Sequence, residues 1–434
     1  MAVGSDADEH PAPLHDKASN RFTLGQLEAD YDQLCAAIRE EHPLFHADRG
    51  EFEAVVAQGR AALWEGMTEL ELLRVSSSVV RATNCGHGSL NLSQAAKEAF
   101  DQTTHFLPLS IGVADGRLVV LRSVGAVEVP RGADIERIDG RTTDEIVTLL
   151  CDRMPGDGAN VTRKLFRLNE QFHEWYALLV SNAEEHAVVY REPHSGERVE
   201  VTLAGVSKAA WPEEREPTED EPREIGTYSF SDDHAWLKVK SFVFYTEPEG
   251  RRFRAFVDEF FAELATRRVG ALVLDLRGNG GGDPHCGAYL WSHLLERPAV
   301  YFAESGTYYS ELKGEIVPAK NAFAGRLIVL IDGAVFSTGG HVASLLKYHR
   351  RAWFIGEETG GSFACTSNSH DIVLRNTGLR LSNARTVFRT AVEGLPPGRG
   401  VFPDERVIDG VDDLLAGRDT VRERALARVR DQME

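Results

Sequence analysis

Long apolar runs are missing from this sequence. No stretch approaches the roughly 20 consecutive apolar residues needed to span a bilayer, and the first twenty residues hold neither a basic nor an apolar segment of the kind that directs export. The chain is therefore expected to stay in the cytoplasm, without a membrane partner. Cysteine is scarce as well: Cys35, Cys85, Cys151, Cys286 and Cys365 are scattered, odd in number and never spaced as C-x-x-C. That pattern excludes a disulfide framework, a zinc ribbon or a redox pair, so the five are read as reduced thiols. Positive charge is the third shortage. Lys and Arg number 48 against 67 Asp and Glu, a net charge of -19, and no basic cluster with interleaved aromatics offsets it. Nucleic acid is thereby excluded as a partner.

What is present is a globular composition, 42% hydrophobic and 26% charged over 434 residues, enough for two or three domains with sizeable cores. Residues 1–21 are polar, contain proline and lack periodicity, which predicts a disordered tail. A helical unit is expected over 22–100. Thr23 with Gln26, and Thr68 with Glu71, form capping boxes, and Leu24, Leu27, Tyr31, Leu34 and Ile38 recur at helical spacing. A β-rich unit is expected over 101–211, opening with two strands around the Asp115-Gly116 turn. The acidic, proline-broken segment 212–224 reads as a linker. From 225 to 434 strands and helices alternate ("AWLKVKSF", "ALVLDLR", "RLIVLI", "VASLLKY", "AWFIG"), predicting an α/β core.

Two glycine-rich elements in that core carry the chemistry. In "LIVLIDGAVFSTGGHVASLLK", Ser337 falls where a strand stops and a helix starts. A serine there is ordinarily a helix cap. At such a turn it can also stand clear of the sheet as a nucleophile, with the Thr338 N–H at the positive end of the helix dipole to hold an oxyanion. The second element, "VLDLRGNGGGDP", follows a buried strand. It lacks the Gly-Lys-Ser/Thr of a phosphate loop, and Asp283 stands where the dinucleotide fingerprint needs glycine. It remains a source of free N–H groups at the carboxyl end of a strand, and Gly281 is the most plausible second oxyanion donor. Among the 15 histidines, His87 in "TNCGHGSL", His285 and His341 compete as general base, with His87 placed narrowly first.

Taken in order, "LDLRGNGGG", "LIDGAVFSTGGHVASLL", "FIGEETGG" and "GRGVFPDERV" resemble the tail-specific, or C-terminal-processing, serine peptidases and their tricorn-core relatives. "RGADIERIDGRTTDEI" resembles the PDZ-like segment of that family, and "MPGDGANVTRKLFRLNEQFHEWY" the stretch after it. The resemblance implies an α/β fold with a crotonase-like core, an N-terminal helical unit and a PDZ-like β-rich unit. It also implies Ser337 as nucleophile, Thr338 with Gly281 (Gly280 a close second) as the oxyanion hole, and His87 as base. The lysine of the processing branch is absent, since Ser362 occupies its place, which selects the histidine branch. Gly86 stands where the tricorn-like enzymes have a serine before the histidine. Glu393, with Glu358 as the fallback, is the acid expected to orient the imidazole.

The implied reaction is hydrolysis of peptide bonds in peptides or protein tails through a Ser337 acyl-enzyme, which needs no metal and no organic cofactor. Two alternatives stand beside it. One is a non-catalytic ligand-binding module of the same fold. The other is a cyclase or transferase that passes the acyl group to an amine.

Overall fold

A computed structural model describes residues 20–211 and 223–431. The tail expected over 1–21 and the linker expected over 212–224 lie almost wholly outside the described residues.

The C-terminal half is built on a six-stranded sheet. In spatial order its strands are Glu405–Arg406, Trp353–Gly356, Arg326–Ile331, Ala271–Asp275, Ala235–Val239 and Gly226–Phe230. Neighbours run parallel except at the Gly226–Phe230 edge, which pairs antiparallel with Ala235–Val239. The central strand, Ala-Leu-Val-Leu-Asp, is buried at every position, as a parallel strand covered on both faces must be. One face packs on Val257, Phe260, Phe261 and Leu264 of the crossover helix Glu247–Arg267. The other is closed by Val421, Ala425 and Val429 of the C-terminal helix Thr420–Asp431. This mixed α/β architecture matches the alternation read from the sequence.

The first half begins with helices Leu24–Glu41, Arg49–Ala61 and Glu69–Ala82. Both predicted capping boxes are formed, at Thr23/Gln26 and Thr68/Glu71. An antiparallel sheet follows, ordered Leu109–Ala114, Arg117–Ser123, Asp134–Ile138, Glu185–Arg191, Arg198–Ala204. Its first hairpin turns at Asp115 and Gly116, with φ of 52° and 71°, the backbone a tight two-residue turn requires. Helix residues Leu27, Leu34 and Leu72 and sheet residues Leu109, Val120 and Ile135 belong to one continuous hydrophobic core.

One pairing brings the two halves together at the site. The short strand Ser89–Asn91 joins Arg380–Asn383 antiparallel, with Leu90 opposite Leu381, and both leucines are buried. The chain just before Ser89 is thereby carried onto the C-terminal half. Cys85 is held there as well, its thiol accepting from Thr366 Oγ1 at 2.7 Å.

Candidate active site

Ser337 ends the turn after the strand Arg326–Ile331 and precedes the helix Thr338–Tyr348. Its backbone sits at φ 52°, ψ -123°, and its side chain makes no capping hydrogen bond. A non-glycine residue in that region costs about 1–3 kcal/mol and persists only where its surroundings impose it. Those surroundings are visible. Phe336 N–H donates to Asn279 O at 3.1 Å, Gly339 N–H to Phe336 O at 2.9 Å, and Gly361 N–H to Val335 O at 2.9 Å. A Cβ on Gly361 would stand 2.8 Å from Ser337 N, so "EETGGSF" can back the turn only with glycine there.

The glycine-rich loop after Ala271–Asp275 lies alongside. Asn279, fully buried, donates from Nδ2 to Val239 O at 3.0 Å and accepts the Gly281 N–H on Oδ1 at 2.9 Å. Gly281 O accepts from Phe242 N at 2.9 Å, and Thr338 Oγ1 donates to Gly282 O at 2.6 Å. The Gly281 N–H, expected to face an oxyanion, is therefore spent inside the loop. Among the described residues the N–H groups of Gly280 and Thr338 have no acceptor, and both residues line the cavity that contains Ser337. The asparagine beside them thus occupies the Gly281 N–H and leaves that of Gly280 open.

His87 Nε2 lies 3.1 Å from Ser337 Oγ, across 250 residues of sequence. Its ring rests on Phe336, centroids 4.6 Å apart, and burial, with the Arg163 charge next, lowers its pKa to about 3. The imidazole is thus neutral at physiological pH. If Nε2 is to accept the serine proton, Nδ1 must carry the ring hydrogen. Nδ1 is buried and has no hydrogen-bond partner. His285 is instead occupied by Asp283 and Glu311 at 2.9 and 2.6 Å. His341 is buried, with Nε2 3.6 Å from Cys365 Sγ.

Neither expected glutamate reaches the imidazole. Glu393 is exposed on an irregular loop. Glu358 is committed to Arg399, at 2.9 and 2.6 Å, and to Gly400 N–H at 2.8 Å. The carboxylate beside His87 is Asp157, 1% exposed. Its Oδ1 accepts from Gly86 N–H at 2.7 Å, while Oδ2 is buried and unpartnered. Ligand-capable atoms of Cys85, His87 and Asp157 all lie within 4.8 Å of one another. As a metal site the trio fits poorly, because burial pushes the Cys85 thiol up to about 12 and a ligand must be thiolate. Asp157 lies in "MPGDGAN", where a carboxylate between two glycines in a helix-to-helix connection was its only local signal.

A serine hydroxyl hydrogen-bonded to a neutral histidine, beside unpartnered N–H groups at the carboxyl ends of parallel strands, is the layout of a serine hydrolase. Residues 233–407 match the model of peptidase family S41. That match, over 175 of the 434 residues, supports a serine peptidase acting on peptide or protein substrates. The fold is similar to that of mature CPAF complexed with lactacystin, at TM-score 0.66 and 14% identity, covering 94% of this chain and 98% of that one. It is similar also to mature CPAF, at TM-score 0.63 and 14% identity, over 90% and 94% of the two chains. The tricorn protease aligns at TM-score 0.42 and 14% identity over 95% of this chain and 37% of that one, too loosely to carry an argument. By sequence, no curated protein matches. Among the described residues no helix is long and apolar enough to cross a membrane.

Proposed function

We propose that Ser337 is the nucleophile, His87 its general base, and the N–H groups of Thr338 and Gly280 the oxyanion hole. The observation that carries this is the 3.1 Å contact between His87 Nε2 and the hydroxyl of a strained, uncapped serine. His87 takes the Ser337 proton as Oγ attacks the peptide carbonyl, the two donors hold the developing oxyanion, and the imidazolium then protonates the leaving amine. Water, activated by the same histidine, releases the acyl group.

Asp157 takes the place expected of Glu393. The imidazole tautomer that can accept the serine proton has a hydrogen on Nδ1, and Asp157 Oδ2 is a buried acceptor in need of a donor. Pairing them, directly or through one water, fixes the ring and stabilises the imidazolium as it forms. Burial raises the Asp157 pKa to about 6, so the acid is ionised at neutral pH and loses its charge in mild acid.

Residues 225–434 are read as a crotonase-like core and 101–211 as a PDZ-like unit. The largely parallel sheet with helices on both faces supports the first, and the antiparallel sheet with helix Thr143–Cys151 supports the second. A cytoplasmic setting accords with five free cysteines, four of them buried. The test is a fluorophosphonate probe read by intact mass. A single adduct should form on the wild type and be lost in Ser337→Ala and His87→Ala. Asp157→Asn should label at least tenfold more slowly. A folded wild type that takes no adduct would overturn the assignment.

A further inference from the structure

The cavity that holds Ser337, about 510 Å³, is also lined by Thr338 and Gly280. The residue whose carbonyl those donors engage, the one before the cut, therefore places its side chain in this space. Its walls are largely aromatic. Tyr309 and Phe388, with centroids 6.0 Å apart, form one side, and Tyr245, 62% exposed, stands where the cavity opens. Arg163 carries the only formal charge among the described residues of the lining, and it is taken up by the Phe336 ring at 3.6 Å and by the Asp157 charge. A charged side chain entering here would be desolvated without a free counter-charge.

One wall is polar and incompletely bonded. His341 lies one helical turn, about 5.4 Å, beyond the nucleophile. It is 2% exposed and yet lines the cavity. Its ring is wedged nearly at right angles to Phe302 and Tyr301, with centroids 5.3 and 6.2 Å away, so it is held in one orientation. Nε2 stands 3.6 Å from Cys365 Sγ, and Nδ1 is buried with no partner. Burial keeps the imidazole neutral and Cys365 a thiol. A neutral imidazole has one N–H and one bare nitrogen. If the thiol donates to Nε2, Nδ1 carries the hydrogen and lacks an acceptor. If Nε2–H faces the sulfur, Nδ1 lacks a donor. In both cases one substrate atom is wanted that can donate or accept. A hydroxyl is such an atom, whereas a carboxamide brings two polar atoms to a single open nitrogen and leaves one unpaired. The hydroxyl must also reach a full turn past Ser337 along aromatic walls, which serine and threonine are too short to do.

We infer that the residue before the cut is tyrosine, its ring against Tyr309 and Phe388 and its hydroxyl on His341 Nδ1, which makes His341 the residue that sets specificity. The assignment rests on the peptidase mechanism proposed above and names the substrate class of that site.

Four peptides that differ only in the residue before the cut, Tyr, Phe, Gln or Leu, test it. Product mass gives kcat/KM on the wild type, and fluorescence anisotropy on Ser337→Ala gives binding without turnover. The Tyr peptide should be bound and cleaved about tenfold or more better than the Phe peptide, because a site built for a hydroxyl is left with an unpaired group when the analogue lacks one. Gln and Leu should do no better than Phe. In His341→Phe the Tyr-to-Phe ratio should collapse toward unity, while His341→Gln keeps part of it. The ratio is taken within each variant, so a general loss of activity cancels, and if His341→Phe fails to fold the wild-type ratios decide. Equal use of Tyr and Phe by the wild type, Gln or Leu ahead of Tyr, or a Tyr preference that persists in folded His341→Phe overturns the assignment. Fluorophosphonate labelling without a Tyr preference sinks only the specificity. Failure of labelling sinks the peptidase mechanism, and the Ser337→Ala binding ratios still judge the cavity.

Discussion

Gly281→Ala adds one methyl group directly against the nucleophile's turn. A Cβ there would lie 2.6 Å from Phe336 O, 2.7 Å from Ser337 Cβ and 2.9 Å from Thr338 N, on a residue whose φ is +96°. The loop cannot back away. Its N–H is bonded to Asn279 and its carbonyl to Phe242, and Gly282 is bridged to the Phe242 strand extension. The displacement must fall on Phe336, Ser337 and Thr338. Alanine at positive φ costs about 1–2 kcal/mol and a methyl forced into a packed site about 1–3 kcal/mol, together less than the 5–15 kcal/mol of a typical domain. The variant should therefore fold. A shift of order 1 Å at reacting atoms costs about 100-fold in rate, so fluorophosphonate labelling should slow by that factor. Gly278→Ala is the matched control: its φ is +82°, but nothing lies within 4 Å of an added Cβ. It should lose a similar 1–2 kcal/mol from backbone strain alone and label within a few-fold of the wild type. If Gly281→Ala, folded by thermal melting, labels as fast as Gly278→Ala, the claim that this loop positions the nucleophile is refuted.

Three further outcomes follow from the same geometry. Gly86→Ser puts Cβ 2.6 Å from the Phe336 ring and 3.1 Å from Asp157 Oδ1. Labelling should fall at least tenfold, and adding Phe336→Leu should recover part of the loss; full activity of the single variant would show the ring to be movable. Arg277→Met strips Asp275, 2% exposed, of its bonds at 2.9 Å. It should cost about 3–5 kcal/mol in urea unfolding, and a loss under 1 kcal/mol would rule out a structural pair. Acid should destabilise the fold. Burial holds His42 and His341 neutral, with pKa values of about 4 and 3, below the roughly 6.5 of an unfolded histidine. The unfolded chain thus takes up protons first, and stability that is complete above pH 6.5 drains away as pH falls toward 4. At pH 5 the two histidines lose about 2 kcal/mol each. Asp157, its pKa raised to about 6, gives back about 1 kcal/mol over the same interval. Histidine wins, and a urea midpoint unchanged between pH 7 and 5 would contradict this balance.

The sequence alone showed which elements form, and much less about how they meet. Capping boxes, the Asp-Gly turn and the apolar faces are local rules, satisfied within a few residues, and the structure follows them at Thr23, Thr68 and Asp115. The position of His87 is not local. It depends on Leu90 finding Leu381 across almost the whole chain, a pairing no window of sequence encodes. Asp157 escaped for the same reason: its partners are Gly86 N–H and the rim of His87, both from another element. The sequence does not distinguish Gly281 from Gly280 as a free donor, because that depends on the fully buried Asn279, whose Oδ1 takes the Gly281 N–H.

Ser337 marks where local rules themselves change meaning. By propensity it is a good N-cap, and a cap would use extended backbone, as Thr23, Thr68 and Thr142 do. At φ 52°, ψ -123° its hydroxyl leaves the helix end uncapped and points to His87 instead. The helix therefore forgoes about 1 kcal/mol of capping and bears the backbone strain besides. Two glycines in its first turn, Gly339 and Gly340, weaken it further. Gly340 is needed because a Cβ would meet Gly361 C at 3.0 Å, and Gly339 because it would meet Asn279 O at 3.0 Å. Each sacrifice in helix stability lets another loop approach the same hydroxyl. A helix start that is weak by every local measure and crowded by two glycine loops is what separates this serine from a cap.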